Sequence, residues 1–215
     1  YKPTLAIVFI SVKQDSESIC SLLHDEGIQI FGSTTSGEFI SPEISEGGIV
    51  IMLLDLNPAY FKLLFFETGN SSAFETSKQL GTEGKNVFSN PAFIIASGWL
   101  HTDGEQIVKG IEEGFGSDVT VFGGMAGDDL ALREPVVFTY GKHSTTGVVA
   151  IIIDEDKIDI AAVFGAVKRN VYSKNFIGGE SVAVFGGSEI NLAHADFNGT
   201  VKLEVVNVFG GTTLF

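Results

Sequence analysis

Residues 32–38 read Gly-Ser-Thr-Thr-Ser-Gly-Glu, four hydroxyl side chains in a row between two glycines, with a carboxylate at the end. Ser33, Thr34, Thr35 and Ser36 offer donors and acceptors, and the glycines let backbone N–H groups approach a ligand closely. Glu38 either closes the stretch electrostatically or begins the next strand. Residues 123–129 answer it with Gly-Gly-Met-Ala-Gly-Asp-Asp. Gly124 frees the backbone there, and the adjacent carboxylates of Asp128 and Asp129 suit an ammonium group. They also suit a cation such as Ca²⁺, but no further ligands follow at metal-loop spacing, so no metal is expected. A third candidate is His101-Thr102-Asp103, just after an apolar segment. A His-x-Asp pair can orient and polarise a bound carboxylate or amine. Each group also has a plainer reading. The hydroxyls serve a tight loop, Asp103 caps a helix, and an aspartate anchors its loop to backbone N–H groups.

Catalysis finds little support in the residue pattern. Cys20 and His24 lie one helical turn apart, the spacing of a thiolate–imidazole pair, yet Cys20 flanks an apolar helix face where lone cysteines are usually inert. No nucleophile elbow, phosphate-binding Walker loop, zinc-protease or Cys-x-x-Cys motif occurs. Residues 32–37 carry no Lys and open no evident helix, so they make a poor phosphate cradle. No catalytic residue and no cofactor are expected. The rival reading is a small-molecule hydrolase or transferase using His101, Asp103 and Asp128 as acid and base. A pure scaffold with structural glycine loops is a third.

The elements that must hold these groups follow from apolar patterning. The run 5–10 reads as a buried strand, and Asp15 and Ser16 offer capping oxygens to a helix over 15–25 with Ile19, Leu22 and Leu23 on one face. Gly27 ends that helix, and 28–31 is the next strand, giving a strand–helix–strand unit. Runs 49–56 and 60–67, separated by Asn57-Pro58-Ala59, read as an antiparallel hairpin. Helices are expected over 71–80 and 103–113, and strands over 91–97, 119–123, 135–140 and 147–154. Past Lys157 no helix is expected. Alternation in 201–205 indicates a half-buried strand instead. Phe-Gly pairs begin at Phe164, Phe185 and Phe209, spaced 21 (185 − 164) and 24 (209 − 185) residues apart. Repeats of that period indicate a solenoid, its phenylalanines stacked in the core.

Charge divides the chain at the same place. The net charge of −14 resides in residues 1–160, where 9 Lys and Arg face 23 Asp and Glu; beyond, 4 face 4. Such acidity argues against nucleic acid and against anionic membrane surfaces. Hydrophobic content is 44%, with no apolar run near membrane-spanning length and no leader pattern. One cysteine forms no intrachain disulfide and agrees with a reducing cytoplasm.

The order of the two glycine loops, together with the opening strand, the first helix, the strand 48–54 and the run 147–153, resembles the N-terminal part of the FIST family. That resemblance covers about residues 1–160. It implies a cytoplasmic sensory module of bacterial signalling that binds a small ligand, an amino acid among the possibilities, without turnover. Residues 171–215 are similar to the C-terminal domain of LiaF-type regulators. The carrying motifs are Ser-Lys-Asn-Phe-Ile-Gly-Gly-Glu, Phe-Gly-Gly-Ser-Glu-Ile-Asn-Leu, Ala-Asp-Phe and Phe-Gly-Gly. That likeness implies contact with a signalling partner protein or self-association through the repeats. The expected architecture is therefore α/β, a mixed β-sheet flanked by helices (1–160), followed by a small all-β solenoid-like region (161–215). The expected ligand-binding set is Ser33, Thr34, Thr35, Ser36, Glu38, His101, Asp103, Gly124, Asp128 and Asp129 around one pocket. Hydroxyls and N–H groups suit a carboxylate and the acids an ammonium, so a zwitterionic amino acid is the expected ligand.

Overall fold

Strand β1 (Leu5–Ile10) is apolar on both faces because it is covered on both. Asp15 then caps α1 (Ser16–Asp25), its carboxylate accepting from the N–H groups of Glu17 and Ser18. The Ser18 hydroxyl also donates to it, which holds its pKa below the usual carboxylate value. Gly27, at φ 77°, turns the chain into β2 (Gln29–Thr34), parallel to β1. The computed structural model describes residues 2–40, 43–45, 47–98, 104–116, 119–129, 135–157, 167–170, 178–185, 188–196, 199–209 and 212–215. After the short pair β3 (Glu38–Ile40) and β4 (Glu43–Ser45), β5 (Ile49–Leu54) runs antiparallel to β1.

A second strand–helix–strand unit follows. Strand β6 (Phe61–Phe66) leads to α2 (Ala73–Val87), β7 (Pro91–Ser97), α3 (Gly104–Phe115) and β8 (Thr120–Met125), with β7 and β8 parallel. The chain then adds β9 (Val137–Thr139) and β10 (Lys142–Ser144) to the first sheet and β11 (Val148–Asp154) to the second. The two sheets have the orders β10-β9-β2-β1-β5 and β6-β11-β7-β8.

The single mixed sheet expected from the sequence is therefore two mixed sheets. The expected hairpin of 49–56 with 60–67 does not form: β5 pairs with β1 and β6 with β11, in different sheets. A 3₁₀ turn over Pro58–Tyr60, capped by Asn57, lies between them where the chain passes from one sheet to the other. β11 touches β2 and β9, and β2 touches β6 and β7, so the sheets stack face to face. Leu5, Ile7, Phe31, Val137, Ile94, Val149 and Ile151 are buried on the parity that faces inward. The opposite parity packs outward on helices. Cys20 and Leu23 of α1 cover Val8, Ile10, Ile30 and Phe138. Leu80, Ile107 and Ile111 of α2 and α3 cover Phe93, Ile95, Ala150 and Ile152. The result is a helix–sheet–sheet–helix sandwich. Within α1, Leu22 is 63% exposed and leaves the apolar face expected for it, because the buried stripe runs through Cys20 and Leu23.

Contacts divide the chain into units Tyr1–Ile158 and Asp159–Phe215. Described elements of the second are all strands: β12 (Val167–Asn170), β13 (Gly178–Phe185), β14 (Ser188–Asn191), β15 (Lys202–Phe209) and β16 (Thr212–Leu214). They pair in parallel, β12-β14-β16 and β13-β15. The register offsets are 21 (Val167↔Ser188, 188 − 167) and 24 (Ser188↔Thr212, 212 − 188; Phe185↔Phe209, 209 − 185). Those offsets equal the Phe-Gly spacing in the sequence.

Candidate functional site

Both glycine loops leave the second strand of a strand–helix–strand unit, at the carboxyl end where α/β folds place ligands. The strands run further than the sequence suggested. Gly32, Ser33 and Thr34 belong to β2, and Gly123, Gly124 and Met125 to β8, so the loops proper are 35–37 and 126–129. The segment 126–129 ties the two sheets together at this end. The Ala126 N–H donates to the Ser97 carbonyl (2.8 Å), Gly127 N–H to Thr34 (2.8 Å) and Asp129 N–H to Thr35 (3.3 Å). Gly127 permits the approach: a Cβ there would lie 2.4 Å from Ser36 Oγ and 2.8 Å from Ser36 N.

Glu38 both begins β3 and closes the first loop. It is 2% exposed, and its carboxylate accepts from Thr35 Oγ1 (2.6 Å) and Gly48 N–H (2.8 Å). Asp129 braces the second. Its Oδ2 accepts from Ser11 Oγ (3.0 Å) and pairs with Lys13 Nζ (2.8 Å). The bond from Lys13, then that from Ser11, holds this carboxyl below its ordinary value. Asp129 sits at φ 53°, a left-handed conformation that aspartate tolerates better than most residues.

Beside these braces, on the α1 side of the first sheet, lies a cleft of about 840 Å³. One wall is α1, through Ser16, Glu17, Cys20 and Ser21, positions that share a stripe on a helix. The other wall is the β9–β10 hairpin with Tyr140 and His143, and the floor holds Ile10, Thr34 and Phe138. Phe138 lies flat on Gly32, where a Cβ would stand 2.1 Å from its ring. Ser11, Gln14 and Asp128 close the end nearest the glycine loops. The far wall is stiffened by His24, whose ring stacks on Tyr140 with centroids 3.6 Å apart and planes 6° apart.

Of the expected site residues, Thr34 and Asp128 line this cleft. Thr34 also fastens β9, its Oγ1 accepting from Val136 N–H (2.7 Å) and donating to the Val136 carbonyl (3.2 Å). Ser33 is buried on the sheet-to-sheet parity, with its hydroxyl on the Thr34 carbonyl (3.0 Å). Thr35, Glu38 and Asp129 belong to the bracing network, exposed Ser36 lies against Gly127, and Gly124 lies on exposed edge strand β8. His101 and Asp103 lie outside the described residues. Reading the sequence missed the α1 stripe, Tyr140 and His143; the one available signal was an exposed aromatic at a Tyr-Gly turn followed by His. Burial, and then nearby Glu17, pushes the Cys20 thiol up to about 11, so at neutral pH it is protonated and a poor nucleophile. His24, engaged with Tyr140, does not complete the dyad its spacing suggested. Among the described residues no group of three or more His, Cys, Asp or Glu could hold a metal ion. No described helix is long and apolar enough to cross a membrane.

The FIST N domain family matches residues 4–169. The chain belongs to the FIST family, sensory domains of signal transduction, and its general role is that of a signalling sensor. The match ends inside the second unit, at β12. Comparison with curated proteins and with solved structures gave no match.

Proposed function

We propose that this chain is a non-catalytic, cytoplasmic sensor that binds a small ligand, an amino acid in the simplest case, in the cleft between α1 and the β9–β10 hairpin. The observation that carries the reading is the junction of that cleft with segment 126–129. Asp128 lines the cleft, while its neighbours Ala126, Gly127 and Asp129 bond to the ends of β7 and β2 and to the 11–13 turn. A ligand held at Asp128 acts on a segment bonded to both sheets at this end, a physical route from occupancy to conformation. The repeat region, residues 161–215, acts in this reading as a LiaF-like solenoid that contacts a signalling partner or another copy. Parallel pairing at the repeat spacing supports it.

The test is thermal denaturation of the full chain with single metabolites. A ligand at one hundred times its Kd adds about 2.7 kcal/mol and raises Tm. Ser21→Trp, an exposed helix position on the cleft wall, should abolish that gain and leave the unliganded Tm in place. Ligand consumption over time would instead establish an enzyme, and no stabilisation by any metabolite would leave a scaffold.

A further inference from the structure

The chemistry of the two cleft walls carries the ligand class further, on the reading that the cleft is the sensory site. Its charged lining is unbalanced. Glu17 and Asp128 supply carboxylates, and among the described lining residues Lys142 is the only Lys or Arg. Lys142 does not serve the cleft. Directly opposed residues of an antiparallel pair share a face, and Lys142 opposes Thr139 while His143 opposes Phe138. Phe138 is on the α1 side, so His143 is too, and Lys142 is on the side facing the second sheet. Its Nζ stands 5.9 Å from the ring centroid of Phe65, a β6 residue on the parity opposite Leu64 and Phe66, which pack against α2 and α3. Ser144 follows the same parity, donating to Glu67 at 2.7 Å. Among the described lining residues, a carboxylate entering the cleft thus meets two carboxylates and one imidazole, within the stretch 1–160 that carries the whole net negative charge.

The far wall is aromatic. Tyr140 is 47% exposed, held by its stack on His24, and sits beside the Phe138 floor. A half-exposed ring already held by a stack receives another flat ring with little loss of side-chain freedom. We infer that the preferred ligand is an aromatic primary amine: its ammonium lies at the Asp128 and Glu17 end, its ring lies against Tyr140, and a carboxylate on the same molecule contributes little.

Three probes with one aromatic body separate the possibilities: 2-phenylethylamine, L-phenylalanine and 3-phenylpropionate, titrated calorimetrically into the full chain. The amine should bind at least as tightly as the amino acid, and the acid at least tenfold more weakly than either. Tyr140→Ala should weaken the amine about threefold to tenfold, the range of one aromatic contact. Glu17→Gln, on an exposed helix position, should weaken the amine and not the acid. Phenylalanine binding tenfold tighter than the amine, or the acid binding tightest, overturns the inference. So does binding of all three with equal affinity. If none binds but another metabolite stabilises the wild type and not Ser21→Trp, the ligand class is wrong and the sensory site stands. If no metabolite does so, the site itself is wrong.

Discussion

The two outer faces of the sandwich are covered unequally. On the second sheet α2 and α3 lie side by side, close enough that a Cβ at Gly81 would stand 2.1 Å from the Ile111 carbonyl oxygen. Gly114 is as tight, with a Cβ 2.0 Å from the Lys78 carbonyl oxygen. Contact at backbone distance leaves no groove between the helices. The first sheet carries α1 alone, over β1, β2 and Phe138, and Lys142 and His143 of the hairpin at its edge are exposed. The cleft is the volume that a second helix would have filled. A binding site here is made by leaving out a layer element, with stability recovered through the buried strands beneath.

The largest expected effect sharpens what holds the open side. Phe138→Ala removes a fully buried ring from the cleft floor, leaving Gly32 bare, and should cost about 3–5 kcal/mol in urea denaturation. A loss below about 1 kcal/mol would show that α1 is held by other contacts. Next comes the sealed side. Gly114→Val forces a side chain into backbone and should cost about 1–3 kcal/mol or more. Ser21→Val, an equivalent change on the cleft face of α1, should stay within about 0.5 kcal/mol. Equal losses would mean that the two faces are packed alike.

The smallest effect is a matter of pH and contrasts the two ends of the strands. Asp129, at the cleft end, is depressed below its ordinary 3.8 by Lys13 and Ser11. Its stabilising contribution is therefore complete above that value and is lost as pH falls through the folded pKa. Glu155 lies beyond the other end of β11, beside Thr120, and burial raises it above 4.5. Its ionised form costs stability above the folded pKa, and the cost vanishes below 4.5. Asp129→Asn should thus lower Tm at pH 7 and Glu155→Gln should raise it, the Glu155 difference vanishing below pH 4.5 and the Asp129 difference shrinking only as pH falls below 3.8. Differences of the same sign would refute the assignment.

Much of the fold was legible in the sequence because single elements are local. The run 5–10, the Asp15 cap, Gly27, the strand 91–97 and the alternating C-terminal strands each carry their own signal. Sheet membership does not. Ile49–Leu54 and Phe61–Phe66 have similar apolar runs, and only pairing with β1 or β11, distant along the chain, decides which sheet each joins. The loops of the candidate site were legible through glycine and hydroxyl composition. The cleft walls were not, since Glu17 and Ser21 face nothing until residues 138–143 are laid across from them.

The order of strands has a consequence for how the chain comes to be folded at all. β11 is the last strand of the first unit and the only described partner of β6, and it also forms one flank of β7. A nascent chain that has not yet released residue 154 therefore holds Phe61–Phe66 unpaired and β7 with a bare apolar edge. β9 and β10 must likewise return to β2 across a completed second unit of strand, helix and strand. Such non-local closure is slow and exposes sticky edges while it waits. This sensor must be synthesised almost to the end of its first unit before either sheet is safe from aggregation.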